Sequence, residues 1–153
     1  MDVKIWTLDP MKLAYVEHVG PYTEVDQAWG KLCGWAGPNG IYNERTRFFG
    51  IYHDNPEEVP AAELRSEACI TVDNESDNAG VVKFKDVPGG KFAVTTHLGP
   101  YDTLHDSWVE FYMKWLPASG MEHAEGPCYE QYMNDPNSTK PEQLVTLLLM
   151  PLK

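Results

Sequence analysis

The sequence lacks the short motifs by which most cofactor-dependent and nucleophilic enzymes are identified. It has no glycine-rich dinucleotide or phosphate loop, no HExxH pair and no GxSxG elbow. No serine or cysteine lies in a recognisable nucleophile motif, and the cysteines do not have zinc-ligand spacing. The sequence therefore implies no cofactor and no metal, and it gives no support to nucleophilic catalysis.

Basic residues are scarce. The chain of 153 residues has 12 Lys and Arg against 23 Asp and Glu, which gives a formal charge of −11 at pH 7. Such a charge repels phosphate backbones and argues against direct nucleic-acid binding. It favours cationic small molecules or a basic protein surface as partners. The simpler alternative is that the acidity only keeps the protein in solution.

Long apolar runs are absent as well. The longest, Leu147–Pro151, is far too short to cross a membrane. The N-terminus shows no charged segment followed by an apolar stretch, so we expect no secretory signal. Cys33, Cys69 and Cys128 are odd in number and lie in separate apolar segments, which predicts three buried, reduced thiols. Together these features predict a cytoplasmic protein.

What the sequence does contain is an internal repeat of about 80 residues. At an offset of 79 the matched pairs are Lys12/Lys91, Ala14/Ala93, His18/His97, Gly20/Gly99, Pro21/Pro100, Tyr22/Tyr101 and Trp29/Trp108. One inserted residue in the second helix shifts the offset to 80, where the pairs are Trp35/Trp115, Gly40/Gly120, Tyr52/Tyr132, Pro56/Pro136 and Leu64/Leu144. Because solenoids need three or more shorter units, two such copies indicate two modules packed about a pseudo-two-fold axis.

Each copy predicts the order strand, strand, helix, strand, strand. Apolar residues recur at helical spacing in Tyr22–Gly37 and in Tyr101–Leu116. The predicted strands are Met1–Trp6, Met11–Val19, Arg47–His53, Glu67–Asp73, Val81–Lys85, Lys91–Leu98, Pro127–Asn134 and Gln143–Leu149. Val81–Lys85 and Lys91–Leu98 are expected to form a hairpin around Pro88-Gly89-Gly90.

The polar segment Asp73–Gly80 is the best candidate for the boundary between the copies. The predicted architecture is a single α+β domain over residues 1–153, with modules of about 1–75 and 80–153. The two pseudo-symmetric strand-helix-strand-strand modules have antiparallel sheets and two main helices, with a groove between the modules.

The two copies differ most on the strand that follows each helix. Because side chains alternate along a strand, Phe48, Gly50 and Tyr52 share one face, as Glu130 and Tyr132 do in the second copy. One copy thus has no side chain where the other has a carboxylate, and aromatic residues flank both positions. The other face carries Phe49, Ile51, Tyr129 and Met133, which we expect to pack under the helices.

A carboxylate among aromatic side chains is costly to desolvate unless it is paired or faces a cavity. A cavity with aromatic walls and one carboxylate suits a flat cation, because the charge pairs with Glu130 and the rings supply stacking and cation–π contacts. Gly50 would leave room for such a ligand. The alternative is that Glu130 is a solvated residue on an exposed face of the sheet.

Other candidates have structural explanations. His18 and His97 repeat before each Gly-Pro-Tyr, so they are expected to serve the strand-to-helix corner. Tyr22 and Tyr101 begin the helices and are expected to anchor the same corner by packing. Trp29 and Trp108 are expected to serve mainly as core residues and only secondarily as pocket residues. Arg65-Ser66-Glu67 is expected to contribute a surface or structural ion pair.

At these residues the chain resembles the GyrI-like family, the bacterial effector-binding domain also found at the C-terminus of multidrug-responsive transcription activators. The resemblance covers about residues 3–152. It is carried by the corner His97–Tyr101, the strand Pro127–Pro136, the segment Tyr52–Pro56 and the residues Pro60 and Leu64–Ile70. It implies a ligand groove at the junction of the modules, with Glu130 as the acidic residue that recognises cationic aromatic ligands. The groove aromatics would be Phe48, Tyr52, Tyr132 and Trp108.

The resemblance implies a stand-alone protein that binds amphipathic, cationic aromatic drugs or toxins. A second interpretation is a cofactor-free hydrolase of cyclopropane-bearing alkylating toxins, in which Glu130 activates water or stabilises a cation and a nearby tyrosine donates a hydrogen bond. A third is an interaction module whose negative charge engages a basic partner such as DNA gyrase. The sequence does not identify the ligand.

Overall fold

The computed structural model describes residues 1–76 and 79–153, so the predicted boundary segment Asp73–Gly80 lies partly outside the described residues. The described residues form eight antiparallel strands and two main helical segments, which confirms the α+β prediction. The strands are β1 (Val3–Leu8), β2 (Met11–Val19), β3 (Phe48–Tyr52), β4 (Arg65–Thr71), β5 (Lys83–Val87), β6 (Gly90–Leu98), β7 (Cys128–Tyr132) and β8 (Val145–Pro151). The helices are α1 (Asp26–Ala36), α2 (Leu104–Val109) and α3 (Leu116–Ser119), with a π-helical segment, Glu110–Trp115, between α2 and α3.

Two compact units divide the chain. The middle unit is Pro10–Pro88, and the terminal unit joins Met1–Asp9 to Gly89–Lys153. The strand order is β3-β4-β2-β5 in the middle unit and β1-β6-β8-β7 in the terminal unit. With the predicted module boundaries of about 1–75 and 80–153, β1 would belong to the first copy and β5 to the second. In the structure β1 belongs to the terminal unit and β5 to the middle unit.

The predicted hairpin over residues 81–98 is wrong, although strands form on both sides of the turn. β5 pairs with β2, where Leu13 lies opposite Lys85. β6 lies between β1 and β8, with Ala93 opposite both Ile5 and Met150. Both edges of β6 are therefore occupied, and a short turn in the sequence did not reveal that its two strands have other partners.

The strand-to-helix corner is built in the same way in each unit. Gly20 and Gly99 have φ angles of 138° and 128°, a backbone conformation that favours glycine. The amide of Gly20 donates to the Leu64 carbonyl at 2.8 Å, and that of Gly99 donates to the Leu144 carbonyl at 2.9 Å. Each corner then leads through a short 3₁₀ turn, Tyr22–Glu24 or Tyr101–Thr103, into a helix.

One helix covers one face of the sheet in each unit. In the middle unit Leu32 and Ala36 of α1 are buried against β2 and β4 residues, among them Ala14 and Ile70. In the terminal unit Leu104 and Phe111 are buried against Leu148 and other apolar side chains of β6 and β8. Burial of these apolar stripes is the main force that holds each helix on its sheet.

The helical stretch formed by α2, the π-helical segment and α3 contains the structural counterpart of the residue inserted in the second copy of the repeat. Its hydrogen bonding widens to a π-helical segment at Glu110–Trp115, whereas α1 is regular throughout. A π-helical turn accommodates one extra residue without rotating the rest of the helix. Trp108 and Trp115 can therefore both pack against the same core, although they are one residue further apart than Trp29 and Trp35.

Candidate functional site

Glu130 lies in the middle of β7, opposite Leu148 of β8, and only 5% of it is exposed. Its two carboxylate oxygens accept hydrogen bonds from two aromatic side chains. Trp108 Nε1 donates to Oε2 at 2.7 Å, and Tyr132 Oη donates to Oε1 at 2.8 Å. Hydrogen bonds to a carboxylate are stronger than bonds between neutral groups. The alternative that Glu130 is a solvated surface residue is therefore wrong.

Local sequence explains how these three side chains meet. Tyr132 is two residues beyond Glu130 on the same strand, so both point to the same face. Trp108 lies on α2, the helix that covers this face, and packs against its core. The indole thus serves the core with its ring and the carboxylate with its N–H, as the amphipathic character of tryptophan allows.

Tyr101 extends the aromatic group around Glu130. Its ring lies 5.5 Å from that of Tyr132, and 36% of it is exposed. Burial raises the pKa of Tyr101, and the charges of Asp135 and Glu130 raise it further, so this phenol stays neutral at physiological pH. We define the acidic aromatic cluster as Glu130, Trp108, Tyr132 and Tyr101.

The predicted site residues of the middle unit, Phe48, Gly50 and Tyr52, lie together on β3. Gly50 is buried opposite Ala68, and Phe48 and Tyr52 are half-buried on either side of it. The Phe48 ring lies 6.3 Å from Trp29 and 5.9 Å from Tyr42. The Tyr52 ring lies 4.9 Å from Tyr22, an arrangement equivalent to the pair of Tyr101 with Tyr132.

The prediction of which strand face lies under the helices is wrong. Phe48 and Cys128 pack against the helix-covered cores, so Gly50 and Glu130 also point toward the helical side of their sheets. Phe49, Ile51 and Tyr129 are buried on the opposite face, and Met133 is 51% exposed. The alternation was right, but the sequence of a strand does not say on which side its helix crosses.

Sequence reasoning missed Tyr101 as a site residue because it assigned both Gly-Pro-Tyr tyrosines to the corner. Tyr22 does have that role: its hydroxyl donates to the Asp54 carbonyl at 2.7 Å and accepts from the Asp54 amide at 3.1 Å. The repeat could have indicated Tyr101, because the tyrosines Tyr22 and Tyr52 of the first copy correspond to Tyr101 and Tyr132 of the second.

A second charged group is buried in the middle unit. Glu67 of β4 is 8% exposed, binds His53 Nε2 at 2.7 Å and forms an ion pair with Lys85. Burial acts to raise the pKa of Glu67, but the bonds to His53 and Lys85 outweigh it, so the pKa lies below its ordinary value. The Lys85 ammonium also lies 4.4 Å from the centre of the Tyr15 ring. This group neutralises a carboxylate that the sheet has buried.

Arg65 makes the expected surface ion pair. Its guanidinium binds Asp54 through two bonds of 2.8 and 3.0 Å, and these bonds hold the pKa of Asp54 below its usual range. The cysteines are all free, as predicted, but only Cys69 among them is buried. Cys33 is exposed because it lies on the outer side of α1, and Cys128 is half-buried. Within residues 1–76 and 79–153, no group of three or more His, Cys, Asp and Glu side chains could hold a metal ion. In the same residues no helix is long and apolar enough to span a membrane.

Comparison with known proteins identifies relatives along the whole chain. A family model described as a GyrI-like small molecule binding domain matches residues 1–153. The DNA gyrase inhibitor of Erwinia billingiae is 31% identical over 140 residues, which cover 88% of each chain. The DNA gyrase inhibitor of Enterobacter lignolyticus is 32% identical over 123 residues, covering 78% of this chain and 77% of the relative.

Two solved structures have a similar fold. The C-terminal domain of EcmrR aligns with a TM-score of 0.79 at 18% identity, over 99% of this chain and 97% of that one. SAV2435, whose structure was solved bound to tetraphenylphosphonium, aligns with a TM-score of 0.66 at 15% identity, over 100% of this chain and 94% of that one. At such identities these likenesses establish the fold alone.

Proposed function

This chain belongs to the family of GyrI-like small-molecule-binding domains, and we propose that its ligands are amphipathic, cationic aromatic compounds. The observation that carries this proposal is the acidic aromatic cluster. A carboxylate that is 5% exposed is held by an indole and a phenol, and both donors leave its negative charge in place. An organic cation that reaches the cluster gains the attraction of a charge only weakly screened by water.

The rings of the cluster favour a flat or ring-bearing cation over a compact hydrated one. Tyr101 and Tyr132 lie next to each other and keep part of their surface accessible. Aromatic faces attract cations through their quadrupole and bury apolar ligand surface at the same time. A lipophilic cation satisfies both requirements, and SAV2435, which has the same fold, binds tetraphenylphosphonium.

Phe48, Gly50 and Tyr52 of the middle unit are proposed as further ligand-binding residues, as their place in the repeat suggests. They occupy positions on β3 that correspond to those of Cys128, Glu130 and Tyr132 on β7. Gly50 would then provide space and the two aromatic side chains would provide contact area.

Calorimetry with tetraphenylphosphonium tests the proposal, with neutral triphenylphosphine oxide as the uncharged comparison. Glu130→Gln removes the charge but keeps the size of the side chain. Affinity for the cation should fall by about 10- to 150-fold, the loss expected for a hydrogen bond or ion pair to a charged group, and affinity for the neutral compound should change much less. Equal losses for both compounds would refute charge recognition by Glu130, and no loss for either would place the site elsewhere.

Gly50→Ala tests separately whether Gly50 contacts a ligand. The added methyl group occupies space without changing charge, so it should weaken the cationic and neutral compounds by similar factors. If Gly50→Ala binds both compounds as tightly as the unaltered protein, Gly50 does not belong to the site. The urea midpoint of each variant shows whether a change in affinity reflects loss of fold.

Inhibition of DNA gyrase is a second candidate function. Its support is that the relative from Erwinia billingiae, 31% identical over 88% of the chain, is named a DNA gyrase inhibitor, together with the formal charge of −11. A supercoiling assay with purified gyrase tests it directly. Inhibition that weakens with added salt and is unchanged by Glu130→Gln would indicate a charged protein contact apart from the ligand site. Absence of inhibition at a large molar excess would eliminate this candidate.

A further inference from the structure

The terminal unit has a surface cleft of about 370 Å³ that the acidic aromatic cluster does not share. Its lining includes Met1, Asp2, Thr95, His97, Ser107 and Glu110. His97 is 6% exposed, and Ser107 is half-buried on α2. The cleft thus brings together a buried imidazole and a hydroxyl group from two separate elements of the fold.

The hydrogen bonds of His97 fix the roles of its two ring nitrogens. Nε2 lies 3.2 Å from the Pro100 carbonyl and 3.1 Å from Thr103 Oγ1, and the Thr103 hydroxyl itself donates to the Pro100 carbonyl at 2.8 Å. A carbonyl oxygen can only accept, so the hydrogen of the neutral ring is on Nε2. Nδ1 is then an acceptor, and the Ser107 hydroxyl donates to it at 2.6 Å.

The other copy of the repeat shows that the corner does not need this serine. In the middle unit His18 Nε2 lies 3.0 Å from the Pro21 carbonyl, so the same bond holds the same turn. The residue that corresponds to Ser107 at the offset of 79 is Ala28, which is 2% exposed. The histidine-to-carbonyl contact is therefore common to both corners. Among the described residues, a hydroxyl group on the second ring nitrogen is found at His97, where the middle unit has Ala28 in place of Ser107.

We propose that Ser107 is a nucleophile activated by His97, and that it takes the acyl group of small carboxylic esters in this cleft. The arrangement contains a hydroxyl nucleophile, an adjacent general base and a third group that orients the base, here the Pro100 carbonyl. It lies on residues that the ligand-binding proposal does not use.

The chemical step needs no additional reactant. As Ser107 Oγ bonds to the carbonyl carbon of the ester, its proton moves to His97 Nδ1. The tetrahedral adduct then breaks its bond to the alcohol, which leaves with the proton from Nδ1, and the acyl group remains on Ser107. A water molecule then attacks the acyl carbon while His97 Nδ1 takes its proton. The bond from that carbon to Ser107 Oγ breaks, Nδ1 returns the proton to Oγ, and the products are a carboxylic acid and the restored serine.

The charges around the cleft select among esters. Asp2 and Glu110 both line it, and the whole chain is strongly acidic. An anionic ester would be repelled, so neutral and cationic esters are the expected substrates. Acylation should therefore be faster with acetylthiocholine than with a half-ester of succinic acid.

The experiment uses the complete protein with p-nitrophenyl acetate, followed by peptide mapping of the acetylated residue by mass spectrometry. We expect acetylation of Ser107, its loss in Ser107→Ala and unaltered labelling in Ser119→Ala. Ser107→Ala copies the alanine of the other corner and should fold normally. His97→Asn should slow acetylation by about 100-fold or more, the usual contribution of a general base.

Two results would overturn the proposal. The first is a protein whose Ser107 is not acetylated under conditions in which surface lysines are. The second is acetylation of Ser107 at the same rate in His97→Asn, provided that the variant keeps the circular dichroism spectrum of the unaltered protein. If His97→Asn does not fold, His97→Gln, whose amide can donate to the Pro100 carbonyl in place of Nε2, takes its place in the same comparison.

Discussion

The Nε1 atom of Trp108 donates a hydrogen bond of 2.7 Å to Oε2 of Glu130, which links the helix of the terminal unit to the central residue of β7. The two residues are 22 positions apart in the chain. This bond gives the indole a second task besides packing, because it keeps the buried carboxylate in one orientation. Trp108 is therefore a positioning residue for the proposed charge site.

Trp108→Phe should separate the two tasks of this side chain. The variant keeps an aromatic ring on the core but removes the donor to Glu130, so the unfolding free energy should fall by about 1.5–3 kcal/mol, the usual value for a hydrogen bond to a charged group. Urea denaturation of Trp108→Phe, Glu130→Gln and the double variant measures the coupling between the two side chains. If the two losses simply add, the bond contributes no coupling energy and Trp108 acts only through packing.

The buried group of Glu67, His53 and Lys85 predicts a pH-dependent stability. Since the pKa of folded Glu67 is lower than its ordinary value, this residue stabilises the fold above that ordinary value, and the contribution is lost as pH falls through the lowered pKa. Glu67→Gln should therefore be less stable than the unaltered protein at pH 7, by about 1–3 kcal/mol, and the difference should shrink on acidification toward pH 3.

Glu17→Gln is the matched control for Glu67→Gln. Glu17 lies directly opposite Glu67 on β2, but its side chain is about half exposed and its bond to Lys83 is 3.3 Å long. Such a pair contributes at most about 1 kcal/mol. A loss in Glu17→Gln as large as that in Glu67→Gln would mean that the acidic residues act through net charge rather than through the buried contacts.

Most of the fold could be predicted because the repeat shows the same pattern twice. All eight strands and both helical segments were expected near their observed positions, and Leu32 and Phe111 are buried in the predicted helical stripes. The hairpin prediction is wrong because strand pairing depends on contacts between residues that are far apart in the chain. β1, for example, pairs with β6, nearly 90 residues later. The common pseudo-two-fold axis of the two copies stays a prediction.

The candidate site was predictable where the two copies differ on one strand and not where the fold brings distant residues together. Glu130 was singled out because glycine occupies the matching position, Tyr132 because it shares the strand face of Glu130, and Trp108 only through the family resemblance. The contact between Ser107 and His97 was missed because no motif connects them. The difference between Ser107 and Ala28 is nevertheless visible in the aligned repeat.

The three cysteines should react at very different rates with a thiol reagent. Cys33 is exposed on α1, whereas Cys69 is buried and burial raises the pKa of its thiol. Burial also raises the pKa of Cys128, to about 12, so its reactive thiolate is rare at neutral pH. Ellman's reagent should modify one thiol quickly in the folded protein and three after denaturation. Cys33→Ser should abolish the fast reaction, and a fast reaction that persists in this variant would contradict the assignment.

Deletion of Met113 tests whether the π-helical segment is the inserted residue of the repeat. Met113 is 67% exposed within Glu110–Trp115, so its loss removes little packing. If the segment closes to an ordinary α-helix, Trp115 and Leu116 keep their places on the core, and the unfolding free energy should change by no more than about 1 kcal/mol.

The matched control is deletion of Lys31, an exposed residue of α1. Because α1 has no extra residue to lose, this deletion rotates Leu32 and Ala36 away from the core by about 100° and should cost several times as much. Urea denaturation compares the two, and equal losses would mean that the π-helical turn does not absorb the insertion.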